Sequence, residues 1–397
     1  MDGILNLEDV NVRGKKVVMR VDFNVPLDDS GNILDDTRIQ ETLPSIEHVL
    51  NEGGSLILLS HMGRPKGKDS KLSLKPCAKD LEKLIKRKVR FIDDCVSDEA
   101  LNAAKNLKPK EVLLLENLRF HEGEEKPEKD PGFAKKLAEL GDIYVNDAFG
   151  SSHRPHASIV PLAGLYKKKA AGFLLEKEVS FLEKALKNPE RPYLALIGGA
   201  KVSSKLGVIK SLLSHVDGII IGGGMAYTFL KAYGVKIGSS ICEEDLLEEA
   251  RRTLEEAKAK NVPIYLPEDS IIVDHLSNDA QKKVAPNSVG IPDGMMGVDI
   301  GPKTIQHFTS LISRAKTIFW NGPFGIFEIA SFSLGTFEIA KAVIESAKLS
   351  IVGGGDTIAA INSFKLGSKI THMSTGGGAS LEFIEKGTLP GLEALKK

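Results

Sequence analysis

An apolar run that ends in a glycine-rich turn is the most constraining feature of this chain, because it recurs. Tyr193-Leu-Ala-Leu-Ile197 ends at Gly198-Gly199, and Gly218-Ile-Ile-Ile221 at Gly222-Gly-Gly224. Thr317-Ile-Phe-Trp320 ends at Asn321-Gly-Pro323, Leu349-Ser-Ile-Val352 at Gly353-Gly-Gly-Asp356-Thr357, and Ile370-Thr-His-Met-Ser374 at Thr375-Gly-Gly-Gly378. Such runs predict buried strands, and glycines at their carboxyl ends lie where open α/β sheets bind ligands. After the first run, Ala200-Lys-Val-Ser-Ser-Lys205 predicts a helix opening near Val202, with Lys201 and Lys205 on one face. Backbone amides, a helix N-terminus and two ammonium groups suit a phosphate. Solvated lysines on an ordinary β–α turn remain the alternative, since lysine in a first turn opposes the helix dipole.

The first half alternates strands (16–21, 55–59, 111–115, 142–145) with helices (38–51, 74–86, 131–140), a pattern that predicts a mostly parallel sheet covered on both faces. Phe173 to Lys187 carries a broad apolar stripe and predicts a helix joining two domains. Further strands are expected near 193–197, 217–221, 262–265, 317–320, 349–352 and 370–373. A chain of 397 residues, 42% hydrophobic, has the length for two cores.

Strand ends of the first half bear charge instead of glycine: Arg20-Val-Asp22-Phe-Asn24, Ser60-His61-Met-Gly63-Arg64, Glu116-Asn-Leu-Arg119 and Asp147 through His153, Arg154 and His156. Arg38 opens its helix. Converging strand ends would gather Arg38, Arg64, Arg119 and Arg154 with His61, His153 and His156 in a pocket for a small, multiply charged anion, because guanidinium forks match carboxylate and phosphate. Arg20, two strand positions from Asp22 and so on the same face, suits an internal partner. In the second half, Asp356 suits either Mg²⁺ beside a polyphosphate or a helix cap. Glu328 suits a ribose hydrogen bond or a cap of the helix ahead.

Other classes fit poorly. Lys+Arg and Asp+Glu balance at 53 each, so no global field attracts nucleic acid or an anionic membrane. Cys77, Cys95 and Cys242 lack a CxxC pair, which speaks for a reducing compartment and against zinc. With an acidic start and no apolar run near the ~18 residues of a membrane span, a cytoplasmic protein is expected. GxGxxG at dinucleotide spacing, protein-kinase signatures and HExxH are missing.

The motifs in order resemble the phosphoglycerate kinase family along nearly the whole chain: Arg20-Val-Asp-Phe-Asn-Val-Pro26, Ser60-His-Met-Gly-Arg-Pro65, Glu116-Asn-Leu-Arg-Phe120, Asp147-Ala-Phe-Gly150, Gly198-Gly-Ala-Lys-Val202, Asn321-Gly-Pro323, Gly353-Gly-Gly-Asp-Thr357 and Ser374-Thr-Gly-Gly-Gly-Ala-Ser380. The resemblance implies two Rossmann-like α/β domains, 1–172 and 189–380, joined by a hinge helix at 173–188. The segment 381–397 would return to the first domain. It implies reversible phosphoryl transfer between 1,3-bisphosphoglycerate and ADP, giving 3-phosphoglycerate and ATP, with Mg²⁺, in a monomer whose domains close.

Carried over by position, Asp22, Asn24, Arg38, His61, Arg64, Arg119 and Arg154 would hold 3-phosphoglycerate. Lys205, Gly297, Asn321, Glu328, Gly353, Gly354, Gly355, Asp356 and Thr357 would hold the nucleotide, with Asp356 on Mg²⁺. Arg38, Lys201, Gly376, Gly377 and Gly378 would meet the migrating phosphoryl group. Met295, Pro155, Ser204 and Phe324 depart from the family's usual residues. Phe324 replaces a smaller apolar residue beside the expected nucleotide pocket.

Overall fold

The computed structural model describes residues 1–396. The chain divides into two compact units: Met1–Ser180 together with the segment from Thr388, and Phe181–Gly387.

The first unit is built on β1 (Lys16–Arg20), β2 (Ser55–Leu59), β3 (Val89–Ile92), β4 (Val112–Leu115), β5 (Ile143–Asn146) and β6 (Lys169–Ala171), in the order β3-β4-β2-β1-β5-β6. Every pairing is parallel. The inner strands have few polar side chains because helices cover both faces; all of Ser55–Leu59 and Val112–Leu115 is buried. β3 and β6, at the two edges, escape the sequence reading. β3 buries Val89 and Ile92 at its ends but exposes Arg90 and leaves Phe91 half-buried between them, and β6 is only Lys-Ala-Ala, so neither forms an apolar run.

The second unit holds β7 (Tyr193–Ile197), β8 (Gly218–Ile221), β9 (Ile264–Tyr265), β13 (Thr317–Asn321), β14 (Leu349–Gly353) and β15 (His372–Ser374), ordered β15-β14-β13-β7-β8-β9 and again parallel. Between β9 and β13 the chain forms a small antiparallel sheet of β10 (Asp269–Val273), β11 (Lys283–Pro286) and β12 (Met296–Ile300). Nothing in the α/β alternation announces it, since β11 exposes three of its four residues.

The helix Phe173–Lys187 forms as expected and crosses the boundary between the units. Buried Asp147 accepts from the amides of Leu174 and Leu175 at 2.9 and 3.1 Å, and Ser45 Oγ accepts from that of Phe173 at 2.8 Å. These side chains satisfy donors that the first helical turn leaves open. The helix Gly378–Lys386 lies within the second unit, where Ser211 Oγ donates to Ile384 O at 2.8 Å. The return to the first unit therefore begins at Thr388, later than the expected 381.

β7 and β13 meet so closely at their ends that side chains are excluded. Gly198 N donates to Asn321 O at 2.9 Å, and Gly199 N to Pro323 O at 2.9 Å. Gly322 has φ +102°, and a Cβ there would stand 2.1 Å from Gly198 O. The only tryptophan, Trp320, is fully buried and donates Nε1–H to Gly322 O at 2.8 Å. Gly322→Ala should destabilise the second unit by roughly 1–3 kcal/mol, the cost of a strained backbone. Urea unfolding followed by Trp320 fluorescence reads this unit, and an unchanged midpoint would contradict the interlock.

Candidate active site

In the first unit, charge collects where β1, β2 and β4 end. Arg38, in the first turn of the helix Thr37–Asn51, places Nη1 2.7 Å from Asp22 Oδ2. Asn24 Oδ1 accepts from Gly63 N at 2.8 Å, and Gly63 O accepts from Arg119 Nη1 at 2.5 Å. Arg119 is buried and also lies 3.2 Å from Glu125 Oε1. Arg154 Nε donates to His153 Nε2 at 3.1 Å. Arg64 is exposed beside Gly63.

Arg20 is the internal partner that its strand face suggested. It is fully buried and donates to Ser158 Oγ at 2.8 Å and to His61 Nδ1 at 3.2 Å, with Glu124 Oε1 3.9 Å away. A guanidinium can only donate, so His61 Nδ1 must carry a lone pair. Burial, with Arg20, Arg119 and Arg38 nearby, holds the His61 imidazole neutral against the pull of Asp22. Burial would raise the Asp22 carboxyl, but the guanidinium groups of Arg38 and Arg20 outweigh it and hold the group at about 2. His156 is likewise kept neutral, lowered to about 3 by burial and by Arg119, Arg20 and Arg154. The pocket thus keeps its guanidinium charge, while His61 and His156 stay neutral.

In the second unit, two adjoining cavities share Gly199, Ala200 and Asp356. The smaller, about 280 Å³, is lined by Lys201, Lys205, Asn321, Gly354, Gly355 and Thr357 among others. The larger, about 430 Å³, is mostly apolar, with Tyr227, Ile241, Leu276, Gly297, Phe324 and Glu328 on its walls. A polar end beside an apolar chamber suits phosphates joined to a flat heterocycle. Phe324 is buried against Trp320 and Phe308, and a Cβ on Gly222 would fall 2.0 Å from its ring. Gly222 therefore supplies the space that the larger Phe324 occupies.

The lysines differ from the sequence expectation. No helix opens near Val202; the helix is Leu206–Leu212, and Lys205 is its N-cap residue. Residues 202–205 form a turn, which Lys205 N closes onto Val202 O at 2.8 Å. Ser203 N and Oγ bond Glu243 at 3.0 and 2.6 Å and hold that turn out of helical geometry. Lys205 still reaches the cavity and donates to Asn321 Oδ1. Burial lowers its ammonium to about 8, partly countered by Asp356. Lys201 lines the same cavity and is exposed.

The two acids also resolve. Gly354, with φ +91°, is the N-cap of the helix Gly355–Ser363, so Asp356 does not cap it; its exposed carboxylate borders both cavities. Glu328 caps neither segment ahead, whose N-cap residues are Ile329 and Ser333. Gly353 ends β14 between Asn321 and Ser374, and the Gly376, Gly377 and Gly378 turn follows β15 next to it.

One unit gathers guanidinium groups at its strand ends, and the other joins a glycine-lined cavity carrying Lys201 and Lys205 to a mostly apolar chamber. That pairing fits the class of kinases acting on a small anionic metabolite. The profile of the family described as phosphoglycerate kinase matches residues 7–387. The phosphoglycerate kinase of Anaeromyxobacter sp. (strain Fw109-5) is 51% identical over 397 residues, covering 98% of each chain. That of Chlorobium phaeobacteroides (strain BS1) is 50% identical over 394 residues, again covering 98% of each. The phosphoglycerate kinase structure from Coxiella burnetii superposes with a TM-score of 0.88 at 41% identity, covering 99% of this chain and 98% of that one. The structure from Pyrococcus horikoshii OT3 gives 0.86 at 33% identity with the same coverage. This chain belongs to the phosphoglycerate kinase family, whose enzymes transfer a phosphoryl group between 1,3-bisphosphoglycerate and ADP.

The sequence reading missed Asp299. It is buried on β12, accepts from Ile300 N at 2.9 Å and Gly335 N at 2.7 Å, and lines the larger cavity. A Cβ on Gly325 or Gly335 would fall 2.3 Å from its Oδ1. Both glycines are distant from Asp299 in the sequence and approach it only in the fold, so the sequence carried no local signal for it. Burial raises the Asp299 carboxyl from 3.8 to about 7. The unfolded chain ionises first, so the cost of holding this group protonated is absent below pH ~4 and grows as pH rises towards 7. Asp299→Asn removes that titration and should flatten the fall of stability over this window. A denaturant series across pH checks it, and an unaltered slope would contradict the assignment.

Proposed function

We propose that the acid is held by Asp22, Asn24, Arg38, His61, Arg64, Arg119 and Arg154. Lys205, Gly297, Asn321, Glu328, Gly353, Gly354, Gly355, Asp356 and Thr357 hold the nucleotide in this reading. The observation that carries it is the smaller cavity, where Lys201, Lys205, Asp356 and the helix start at Gly355 converge beside an apolar chamber. Amides at a helix start and two ammonium groups are what a diphosphate needs.

Mg²⁺ fits at Asp356, because this cation takes one or two carboxylates and completes its shell with phosphate oxygens and water. It would supply neutralisation of the charge shared by the phosphates. The accepting carboxylate is ionised at neutral pH and needs no general base, which agrees with the low basicity that burial and neighbouring guanidinium groups give His61 and His156. Alignment and cationic stabilisation then do most of the catalysis. Arg38 steadies the transferring group from the acid's side, and Lys201 with the amides of Gly376, Gly377 and Gly378 from the nucleotide's.

Direct in-line transfer needs reacting atoms ~3–3.5 Å apart. Ligands held by separate units meet that condition only if the units close during turnover, about the ends of the Phe173–Lys187 helix. The reading extends to a cytoplasmic monomer, supported by balanced charge and by unpaired cysteines; among the described residues no helix is long and apolar enough to cross a membrane.

Arg38→Lys keeps the charge and loses the fork, so kcat for ATP-dependent phosphorylation of 3-phosphoglycerate should fall ~10²–10³-fold. A near-normal kcat would remove Arg38 from the reaction. Asp356→Asn should raise the Mg²⁺ concentration needed for half-maximal rate and leave 3-phosphoglycerate affinity intact; an unchanged requirement would move the cation elsewhere.

A further inference from the structure

A cluster of three potential metal-ligating groups lies in the first unit, and the phosphoryl-transfer reading uses none of them. After β3 the chain bends through Asp93–Ser97, turning Cys95 fully inward and leaving Asp94 half-buried. After β4 it passes through the turn Leu118–Phe120 to His121. His121 Nε2 comes 3.4 Å from Asp94 Oδ2. One ligating atom from each of Asp94, Cys95 and His121 lies within 4.8 Å of the others. Wide spacing in sequence hides the cluster: Cys95 has no CxxC partner, and His121 arrives from another strand.

The groups are oriented by further contacts, as ligands usually are. Asp94 Oδ1 accepts from Val96 N at 2.7 Å, which leaves Oδ2 facing the histidine. The His121 ring stacks on Phe133 with centroids 5.2 Å apart. Sulfur, imidazole nitrogen and a carboxylate oxygen match Zn²⁺ and Co²⁺, whereas Mg²⁺ and Ca²⁺ take oxygen ligands.

We propose that Asp94, Cys95 and His121 form a site for a thiophilic divalent cation of the zinc class, separate from the nucleotide's Mg²⁺. Binding replaces the thiol proton of Cys95 with a metal–sulfur bond, and the proton leaves to solvent. The side chains of His121 and Asp94 are 30% and 35% exposed, which gives the ion an entry path and room for a water as fourth ligand. The ion joins the exit of β3 to the turn after β4, and the site lies two residues beyond Arg119.

Cobalt is the direct probe. Chelator-treated full-length protein titrated with Co²⁺ should bind one ion with a thiolate-to-cobalt charge-transfer band in the near ultraviolet. Cys95→Ser should abolish that band, and Cys242→Ser should keep it. His121→Ala, at a partly exposed position that tolerates truncation, should weaken Co²⁺ binding at least 10-fold, so the test survives if Cys95→Ser fails to fold. Affinity for 3-phosphoglycerate, which the proposed function places in the same unit as the cluster, reports on each variant whether that unit is folded. A wild-type protein without the band, a band that persists in folded Cys95→Ser, or unchanged affinity in His121→Ala would overturn the site.

Discussion

The second unit depends on a backbone contact that side chains would forbid. Gly198 N donates to Asn321 O at the ends of adjacent strands, with Gly322 packed too close to Gly198 for a Cβ, and Gly199 and Gly223 continue the contact with Pro323 and Phe324. The approach brings the turn after β7, the Asn321 turn after β13 and the helix start after β14 around one small space. Without Cβ atoms in the way, backbone amides and the ammonium of Lys205 can converge on a phosphate. Phe324 fits beneath because Gly222 leaves room for its ring. The phosphate cradle and the apolar chamber are thus two consequences of one packing constraint.

The first unit solves a different problem. Several guanidinium groups share a partly dry space, where like charges repel strongly. Arg20 is engaged by Ser158, His61 and Glu124, Arg38 by Asp22, and Arg119 by Gly63 and Glu125. Asp22 remains ionised to about 2, and His61 and His156 are kept neutral. This arrangement leaves positive charge for an incoming anion while the empty pocket stays tolerable. Burial and charge together explain why histidines so close to the site need not act as bases.

Much of this was legible in the sequence. The two parallel sheets followed from apolar runs and their spacing, and the proposed site residues from what stands at their ends. The edge strands β3 and β6 were hidden because an edge needs no apolar run, and the sheet β10–β12 because its exposed strand carries no alternation. The helix start at Leu206 was misplaced by four residues, since side-chain bonds from Ser203 to Glu243 hold a turn where spacing alone suggested a helix. Asp299 escaped for a related reason: its partners Gly325 and Gly335 approach only through tertiary folding.

The central claim is a division of labour, with the acid held by the guanidinium unit and the nucleotide by the glycine unit. Calorimetric titration of each substrate separately into Arg64→Ala and Lys205→Ala tests it directly. Each loss of a charge-assisted hydrogen bond should weaken one ligand by roughly 10-fold or more. The account predicts that Arg64→Ala weakens 3-phosphoglycerate and spares ADP, while Lys205→Ala does the reverse. Equal losses for both ligands in either variant, or no loss in the expected one, would contradict it.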